Sequence, residues 1–315
     1  MNIDKSQKYT IYLNNVKENW IVDRTRKEWY EFNKDISTKN IYRSDLIWLI
    51  ASWNWNNVSK SQLSKKKVIC SIYHIDETKF DNSKRKNFQN RDKLVDEYHV
   101  ISLKTKEQVR KLTDKKITSI PFWVNTNIWF QISDKEKLLK KYDFKDNEFL
   151  IGSFQRDSEG SNVELPKLSK GPDRFIEIVK ELNNDIKNIH IVLTGRKRNY
   201  IINELEKENI KYTYFEMADF STINELYNCL SLYIVSSRYE GGPQAILECG
   251  VTKTPIISTD VGVATEILAN ESIFNMENFK NAQPNVEYAF TNSMKYEMKS
   301  TFQLFHDMFE SLYEN

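Results

Sequence analysis

The stretch S-S-R-Y-E-G-G-P-Q-A-I-L-E-C-G, residues 236–250, places two carboxylates, Glu240 and Glu248, on either side of a glycine pair. It follows the run Leu232 to Val235, which is rich in β-branched and aromatic residues and is bounded by serines. Such a run is typical of a buried parallel strand. The stretch therefore predicts a strand, a turn that carries Glu240 and a helix that carries Glu248.

The turn and the start of this helix have the features of an anion site. Gly241 and Gly242 permit a tight backbone and the close approach of a ligand. Pro243 fits the first position of a helix, where its missing N–H costs nothing, and we expect the helix to span 243–251. The first turn of a helix presents unpaired N–H groups and the positive end of the dipole, which favour a phosphate. The expected donors are the N–H groups of Gly242, Gln244 and Ala245.

The two glutamates need a different explanation, because a carboxylate aimed at a phosphate would repel it. Glu240 and Glu248 are better explained as acceptors for neutral hydroxyl groups on either side of a diphosphate. A diphosphate with a sugar on one side and a ribose on the other is a nucleotide-sugar. The stretch therefore indicates a nucleotide-sugar site.

The rest of the C-terminal half alternates between apolar runs and amphipathic segments. This alternation predicts a doubly wound parallel sheet. The predicted strands are 149–154, 189–194, 212–217, 232–236 and 256–259, and the predicted helices are 172–182, 199–208, 222–230, 243–251 and 264–269. In such sheets ligands bind beyond the carboxyl ends of the strands, and Arg156, Gly195, Glu240 and Asp260 fall just past those ends.

The N-terminal half predicts a second α/β domain. Its predicted strands are 9–14, 46–52, 67–73, 97–102 and 116–121. At the other end of the chain, apolar residues at helical spacing predict a final amphipathic helix: Met298, Phe302, Phe305, Phe309 and Leu312.

The stretch around Glu240 and Glu248 resembles the E-x7-E signature of retaining glycosyltransferases of the GT-B fold, family 4. The run from Pro255 to Gly262, followed by Glu266, is similar to the family's continuation. This chain has E-G-G-P where many members have E-G-F-G, so Pro243 removes one backbone donor.

The resemblance implies an α/β fold of two Rossmann-like domains that face each other across a cleft. Residues 1–130 would form the acceptor-binding domain, with a C-terminal helix at 296–315 packing back on it. Residues 131–295 would bind the nucleotide-sugar.

The resemblance also implies roles for single residues. Arg156 and Lys170 would neutralise the diphosphate, like the Arg and Lys of the family's R-x4-K-G element, although the polar loop 157–169 separates them here. His74 would orient the transferred sugar, with a structural histidine as the alternative. The implied catalytic residues are Glu240, Arg156, Lys170 and His74. The implied donor-binding residues are Glu248, Gly241, Gly242, Pro243, Gln244, Ala245 and Gly195.

The charges are distributed unevenly along the 315 residues. Up to residue 147 the chain has 30 Lys and Arg against 19 Asp and Glu, whereas the remainder has 16 against 25. The basic half predicts contact with a lipid phosphate, a membrane surface or an acidic glycan, and a solvated lysine-rich face is the alternative. The scattered basic residues and the absence of an RNA-binding or helix-turn-helix signature argue against nucleic acid.

Two further features predict a cytoplasmic protein, with peripheral contact at the inner face of a membrane left open. The three cysteines have neither pairing nor metal spacing and lie in apolar segments. No run approaches the about 18 apolar residues of a transmembrane helix, and residues 1–10 are polar rather than signal-like.

The predicted function is a metal-independent retaining glycosyltransferase of hexosyl or N-acetylhexosaminyl type, without a cofactor. Its donor would be a UDP-, GDP- or other nucleotide-sugar, and its acceptor a glycan, a lipid-linked or a protein-linked group in surface polysaccharide or glycoconjugate synthesis. The alternative is a non-catalytic nucleotide-sugar or glycan-binding subunit, favoured by the missing Gly-rich loop after the first strand. An α-glucan phosphorylase relative would need a much longer chain.

Overall fold

The computed structural model describes residues 9–16, 21–159 and 165–314. The chain divides into two compact units. Unit 1 comprises residues 1–122 and 301–315, and unit 2 comprises residues 123–300.

Among the described residues, unit 1 holds a five-stranded parallel sheet in the order β1-β2-β3-β4-β5. Its strands are β1 Ile11–Leu13, β2 Leu46–Leu49, β3 Lys67–Ile72, β4 Glu97–Val100 and β5 Lys116–Ser119. Its helices are α1 Ile21–Phe32, α2 Lys60–Leu63, α3 Asn82–Asp92, α4 Leu103–Arg110 and, from Thr301 onward, α12 Met298–Glu314. The five strands predicted from the sequence are present, each somewhat shorter than predicted.

The core of unit 1 is unusually aromatic where α12 packs. Phe305 and Phe309 are fully buried. The Phe305 ring centroid lies 4.9 Å from that of Trp48, and the Phe309 centroid lies 5.5 Å from that of Trp29. Met298, Phe302 and Leu312 are buried as well, so the apolar stripe read from the sequence is the buried face of the helix.

A neutral hydrogen-bonded chain crosses the same core. The indole Nε1 of Trp48 donates to Ser71 Oγ at 2.8 Å, and the two ring nitrogens of His99 contact Ser71 Oγ at 2.8 Å and the Ile120 carbonyl at 2.7 Å. Because a carbonyl can only accept, Nε2 of His99 carries the proton and Nδ1 accepts from Ser71. Burial lowers the pKa of His99 to about 4, although the hydrogen bond to Ile120 acts in the opposite direction.

The described part of unit 2 holds a six-stranded parallel sheet in the order β11-β10-β9-β6-β7-β8. Its strands are β6 Phe149–Ser153, β7 Ile189–Thr194, β8 Lys211–Phe215, β9 Leu232–Val235, β10 Ile256–Thr259 and β11 Ile273–Phe274. Its helices are α5 Lys135–Lys141, α6 Pro172–Asp185, α7 Asn199–Lys207, α8 Phe220–Cys229, α9 Gln244–Thr252, α10 Ala264–Ile267 and α11 Val286–Met294.

Two apolar clusters cover the two faces of this sheet. The apolar side chains of α6 and α7, among them Phe175 and Leu205, pack together in one cluster. Those of α5, α8, α9 and α11, among them Tyr227 and Leu247, pack in the other. The connections that leave β6 and β9 therefore lead to opposite faces, and the strand order reverses between these two neighbouring strands.

Two helix starts differ from the sequence prediction. The helix α9 begins at Gln244, and Pro243 is its N-cap with an extended ψ of 114°. The Pro243 carbonyl accepts a hydrogen bond from Ile246 N at 3.0 Å. Pro243 therefore takes part in the first hydrogen bond of the helix, although its own backbone is not helical. The helix α8 begins at Phe220 because the side chain of Asp219 accepts from Thr222 N at 2.8 Å and caps it.

No helix in the described segments combines the length and the apolar character needed to cross a bilayer.

Candidate functional site

The reversal of strand order in unit 2 gives the sheet a topological switch point between β6 and β9. At such a point the loops that follow two neighbouring strands diverge to opposite faces and leave a crevice at the carboxyl edge. The loop after β6 begins at Phe154, and the loop after β9 begins at Ser236. Ligand-binding side chains are therefore expected on these two loops.

Lys170 and Glu240, both predicted from the sequence as site residues, meet here as an ion pair between Nζ and Oε1. The Lys170 side chain is 27% exposed and the Glu240 side chain 11%. Ser237 Oγ donates to the same carboxylate oxygen of Glu240 at 3.3 Å. The structure thus brings together one cation and one carboxylate that are 70 residues apart in the chain.

Backbone hydrogen bonds hold these two residues in place. The Ser169 carbonyl accepts from the N–H groups of Arg238 at 2.9 Å and Tyr239 at 3.2 Å. Gln155 Nε2 donates to the Lys170 carbonyl at 3.0 Å, which ties the loop after β6 to the same turn. Three chain segments are therefore joined around the Lys170–Glu240 pair.

A second ion pair supports the loop from the outside. Arg238 makes two parallel hydrogen bonds to the carboxylate of Asp173 in the first turn of α6, at 2.7 Å and 2.6 Å. Burial raises the pKa of Asp173, but the hydrogen bonds and the charge of Arg238 outweigh burial and leave the pKa below its ordinary value. Arg238 therefore ties the loop that carries Glu240 to the start of α6, the helix that follows Lys170.

The segment between Arg156 and Lys170, predicted as a polar loop, closes on itself at its base. Ser158 and Pro166 form an antiparallel bridge, and Glu159 N donates to the Leu165 carbonyl at 3.0 Å. Residues 160–164, which include the predicted loop residues Gly160, Ser161 and Asn162, lie outside the described residues. Because the insertion returns to its starting point, its length does not move Arg156 away from Lys170.

Lys167 is a third cation at this place, and the sequence reasoning missed it. Burial lowers the pKa of Lys167, and the positive charges of Lys170 and Arg156 lower it further, against weaker opposing effects from Glu159 and Glu240. Lys167, Lys170 and Arg156 are therefore close enough to repel one another. The available signal was the K-L-S-K spacing, which puts two lysines one tight turn apart.

A buried ion pair between Arg198 and Asp157, also missed, lies beneath these cations. Arg198 and Asp157 are 0% and 1% exposed, and Arg198 Nε donates to Asp157 Oδ2 at 2.9 Å. The guanidinium also donates to the carbonyls of Ser153 at 2.5 Å and Thr194 at 2.9 Å. Arg198 thereby links the carboxyl ends of β6 and β7 to the start of the inserted segment.

Two left-handed glycines allow the loops to approach closely. Gly171 has a φ of 63°, and a Cβ there would lie 1.9 Å from the Ser236 carbonyl oxygen. Gly262 has a φ of 51°, and its Cβ would lie 2.2 Å from the Gly241 carbonyl oxygen. Gly195, after β7, has a φ of 86°, and nothing lies within 4 Å of a Cβ at this position. A side chain there would meet backbone strain but no steric clash.

Glu248 lies on α9 and is 7% exposed. Its Oε2 accepts from the Tyr227 hydroxyl at 3.0 Å. Burial and the nearby Glu248 carboxylate raise the pKa of Tyr227 well above its usual range. The residues that connect Glu240 to this helix are more open, since Gly242, Pro243, Gln244 and Ala245 are half-buried while Gly241 is buried. The predicted contacts of Glu248 with a ribose and of this turn with a phosphate stay predictions.

His74 belongs to unit 1, whereas the other predicted site residues belong to unit 2. It is exposed and follows the carboxyl end of β3 by two residues. Its role in orienting a sugar stays a prediction. Across the described segments no three His, Cys, Asp or Glu side chains are placed to hold a metal ion.

The architecture resembles solved glycosyltransferase structures along almost the whole chain. HepE from Anabaena, solved in complex with UDP-glucose, has a TM-score of 0.72 at 12% identity, with 96% of this chain and 99% of that chain covered. Sucrose-phosphate synthase from Thermosynechococcus elongatus has a TM-score of 0.68 at 12% identity, covering 93% and 77%. A glycosyltransferase from Rickettsia africae has a TM-score of 0.65 at 18% identity, covering 96% and 84%.

At these identities the likeness defines the fold, which is GT-B, and the predicted two-sheet α/β architecture is confirmed. Residues 161–296, a little under half of the chain, match the model of the family described as glycosyl transferases group 1. This match includes Lys170, Glu240 and Glu248. No curated protein matches the chain.

Proposed function

We propose that the protein is a retaining glycosyltransferase whose donor, a UDP- or GDP-linked or other nucleotide-sugar, binds at the switch point of unit 2. The observation that carries the proposal is the meeting of Lys170 and Glu240 between the ends of β6 and β9. One is a cation suited to a diphosphate, and the other is a carboxylate suited to sugar hydroxyls. The family match over residues 161–296 and the GT-B fold support it.

In this proposal the positive groups act on the leaving diphosphate. The bond from the sugar C1 to the diphosphate oxygen breaks while a bond from C1 to the acceptor hydroxyl oxygen forms on the same face. The acceptor's proton passes to the departing diphosphate. Lys170 and Arg156 stabilise the charge that grows on this group, together with the N–H groups at the start of α9. No metal ion and no cofactor enter this sequence of events.

The remaining residues hold the donor. Glu240 accepts hydrogen bonds from hydroxyls of the transferred sugar, and Glu248 accepts them from the ribose. The turn of Gly241, Gly242 and Pro243 supports the diphosphate, and His74 orients the sugar. A hexosyl or N-acetylhexosaminyl group is the proposed cargo.

Unit 1 is the proposed acceptor-binding unit, and the acceptor is a glycan, a lipid-linked or a protein-linked group in surface polysaccharide or glycoconjugate synthesis. The basic side chains of α3 support an anionic partner, because Lys84, Arg85 and Lys86 are all exposed. Peripheral contact with the inner face of a membrane is part of this proposal.

A nucleotide-sugar or glycan-binding subunit without turnover is the second candidate, and one contact favours it. The Asn14 side chain after β1 donates to the Ala51 carbonyl at 3.1 Å and accepts from Ala51 N at 3.2 Å. This pair occupies the place where related enzymes often have a Gly-rich loop. A pure binder would show affinity for a nucleotide-sugar without transfer.

Transfer and hydrolysis of radiolabelled nucleotide-sugars, with and without EDTA, test the proposal. We expect turnover that EDTA leaves unchanged. Lys170→Ala should lower kcat about 100-fold without a comparable loss of stability. Glu248→Ala should weaken donor affinity about tenfold. Glu287→Ala, at an exposed carboxylate of α11, is the control and should match the wild type.

Two outcomes contradict specific parts of the proposal. Wild-type turnover in Lys170→Ala removes that residue from the diphosphate, and unchanged nucleotide affinity of Glu248→Ala in calorimetry removes the ribose assignment. Binding without any transfer would favour the second candidate.

A further inference from the structure

Lys167 lies on the same tight turn as Lys170. It caps the single 3-10 turn Leu168–Lys170, and its carbonyl accepts from Lys170 N at 2.8 Å. Residues three apart in such a turn lie one above the other. The two lysines therefore start from the same side of the chain.

Contacts with Asp157 fix the position of the Lys167 backbone. Its N–H donates to the Asp157 carbonyl at 2.7 Å, and the Asp157 side chain is held by the fully buried Arg198. Arg198 in turn binds the Ser153 carbonyl at the end of β6. Lys167 is thus anchored to the strand end that borders the switch point, although it follows an inserted segment.

The charges around Lys167 do not cancel. Burial and the charges of Lys170 and Arg156 lower its pKa, and their combined effect exceeds that of Glu159 and Glu240, which act in the opposite direction. Among the described residues the Lys167 ammonium makes no hydrogen bond or ion pair. A half-buried ammonium without a partner is unfavourable unless a ligand supplies the opposite charge.

The cations around Lys167 outnumber the carboxylates by an amount that a diphosphate can balance. Three cations, Arg156, Lys167 and Lys170, lie near two carboxylates among the side chains that the structure describes, the partly buried Glu240 and the exposed Glu159. A nucleotide-sugar carries one negative charge on each of its two phosphates. Binding of this group would bring a negative charge to the Lys167 ammonium, which no described side chain pairs.

We propose that Lys167 is a third diphosphate-binding residue, positioned by the closed insertion and by the Arg198–Asp157 pair. This inference rests on the proposed function, since it adds a contact to the same donor site. In this assignment the inserted segment between Arg156 and Lys170 contributes an additional cation to the donor site. Its ligand is the diphosphate and not the base or the sugar.

Calorimetric titration of the full chain tests this assignment. UDP, GDP and ADP are titrated first, and the tightest binder is compared with its nucleoside. Lys167→Met should bind the diphosphate about tenfold more weakly, which corresponds to 1.4 kcal/mol, with unchanged affinity for the nucleoside. Lys167→Arg should stay within about twofold, because it keeps the charge. Lys187→Met, at an exposed lysine before β7, should match the wild type.

The outcomes separate this inference from the proposed function. Equal diphosphate affinity in wild type and Lys167→Met overturns the assignment of Lys167 and leaves the proposed function standing. An equal loss for the diphosphate and the nucleoside also overturns it, because it indicates a disturbed loop. If the wild type binds none of the three nucleoside diphosphates, the result contradicts the proposed donor site itself. Lys167→Gln replaces Lys167→Met if thermal melting shows that the methionine variant is unfolded.

Discussion

The two units build the same kind of parallel sheet but differ in what lies at its carboxyl edge. In unit 1 the described strands follow chain order, and the ends of β1 and β4 are closed by neutral groups such as the Asn14–Ala51 and Ser102–Thr105 pairs. In unit 2 the order reverses between β6 and β9, and charged side chains gather there. In this molecule charged side chains therefore gather where two loops diverge, which is the place where open parallel α/β sheets bind ligands.

One buried polar cluster from each unit shows the same difference. Unit 1 buries the neutral chain of Trp48, Ser71 and His99, in which each side chain has a hydrogen-bond partner. Unit 2 buries the charged pair of Arg198 and Asp157 directly behind its loops. A buried charge that loses its partner is far more unfavourable than a neutral group that loses one, so these two clusters should respond differently to substitution.

The largest expected effect is at Arg198. We expect Arg198→Met to lower the free energy of unfolding by about 3–5 kcal/mol, because Asp157 would stay buried without its cationic partner. Arg238→Met removes the half-exposed pair with Asp173 and should lower it by only about 1 kcal/mol. Urea denaturation measures both. Equal losses in the two variants would contradict the distinction between the buried Arg198–Asp157 pair and the half-exposed Arg238–Asp173 pair.

The next effect compares two glycines of the same edge. Gly171→Ala should lower the free energy of unfolding by about 3 kcal/mol or more, because it combines backbone strain with a clash against the Ser236 carbonyl. Gly195→Ala meets only the strain, since nothing lies within 4 Å of a Cβ there, and should lower it by about 1 kcal/mol. Thermal and urea unfolding check this order. Similar values would mean that close approach of the loops does not matter.

The third effect, smaller than those of Arg198→Met and Gly171→Ala, concerns pH and the core of unit 1. The pKa of His99 is about 4 in the folded chain, below the ordinary 6.5, so the unfolded chain binds the proton more tightly. The stabilisation is complete above pH 6.5 and is lost as the pH falls towards 4. Lowering the pH from 8 to 5 should therefore remove about 2 kcal/mol through His99.

The variant His99→Gln isolates this contribution. It should be less stable than the wild type at pH 8 but should lose about 2 kcal/mol less on acidification to pH 5. His190 in unit 2 has a lowered pKa as well, through burial, and its contribution is present in both proteins and cancels. Parallel urea unfolding curves at the two pH values provide the measurement. An identical acid loss in variant and wild type would show that His99 is not the responsible group.

Much of the fold could be predicted from local patterns. The strand β9 was readable because Leu232 to Val235 form a short apolar run, and α12 because Phe305 and Phe309 repeat at helical spacing. The starts of α8 and α9 were less readable, since they depend on the Asp219 cap and on the ψ of Pro243. A pattern fixes the kind of element, whereas its first residue depends on individual hydrogen bonds.

The candidate site was predictable in part. Glu240 and Lys170 were found through a motif and a resemblance, yet nothing in the sequence indicated that Gln155 would bind the Lys170 carbonyl or that the insertion would close at Ser158 and Pro166. Lys167 and Arg198 looked like ordinary basic residues. Their significance depends on burial and on neighbours that a one-dimensional pattern does not contain.

The sequence by itself determined the alternation of strands and helices, the two glutamates with their spacing, and the uneven distribution of charge, because each is a property of neighbouring residues. Only the tertiary structure decided the reversal of strand order in unit 2, the Lys170–Glu240 pair and the Arg198–Asp157 pair beneath it. These features join residues up to 81 positions apart. Such contacts form only when burial of the two faces of the sheet has compensated the entropy of ordering the chain between them.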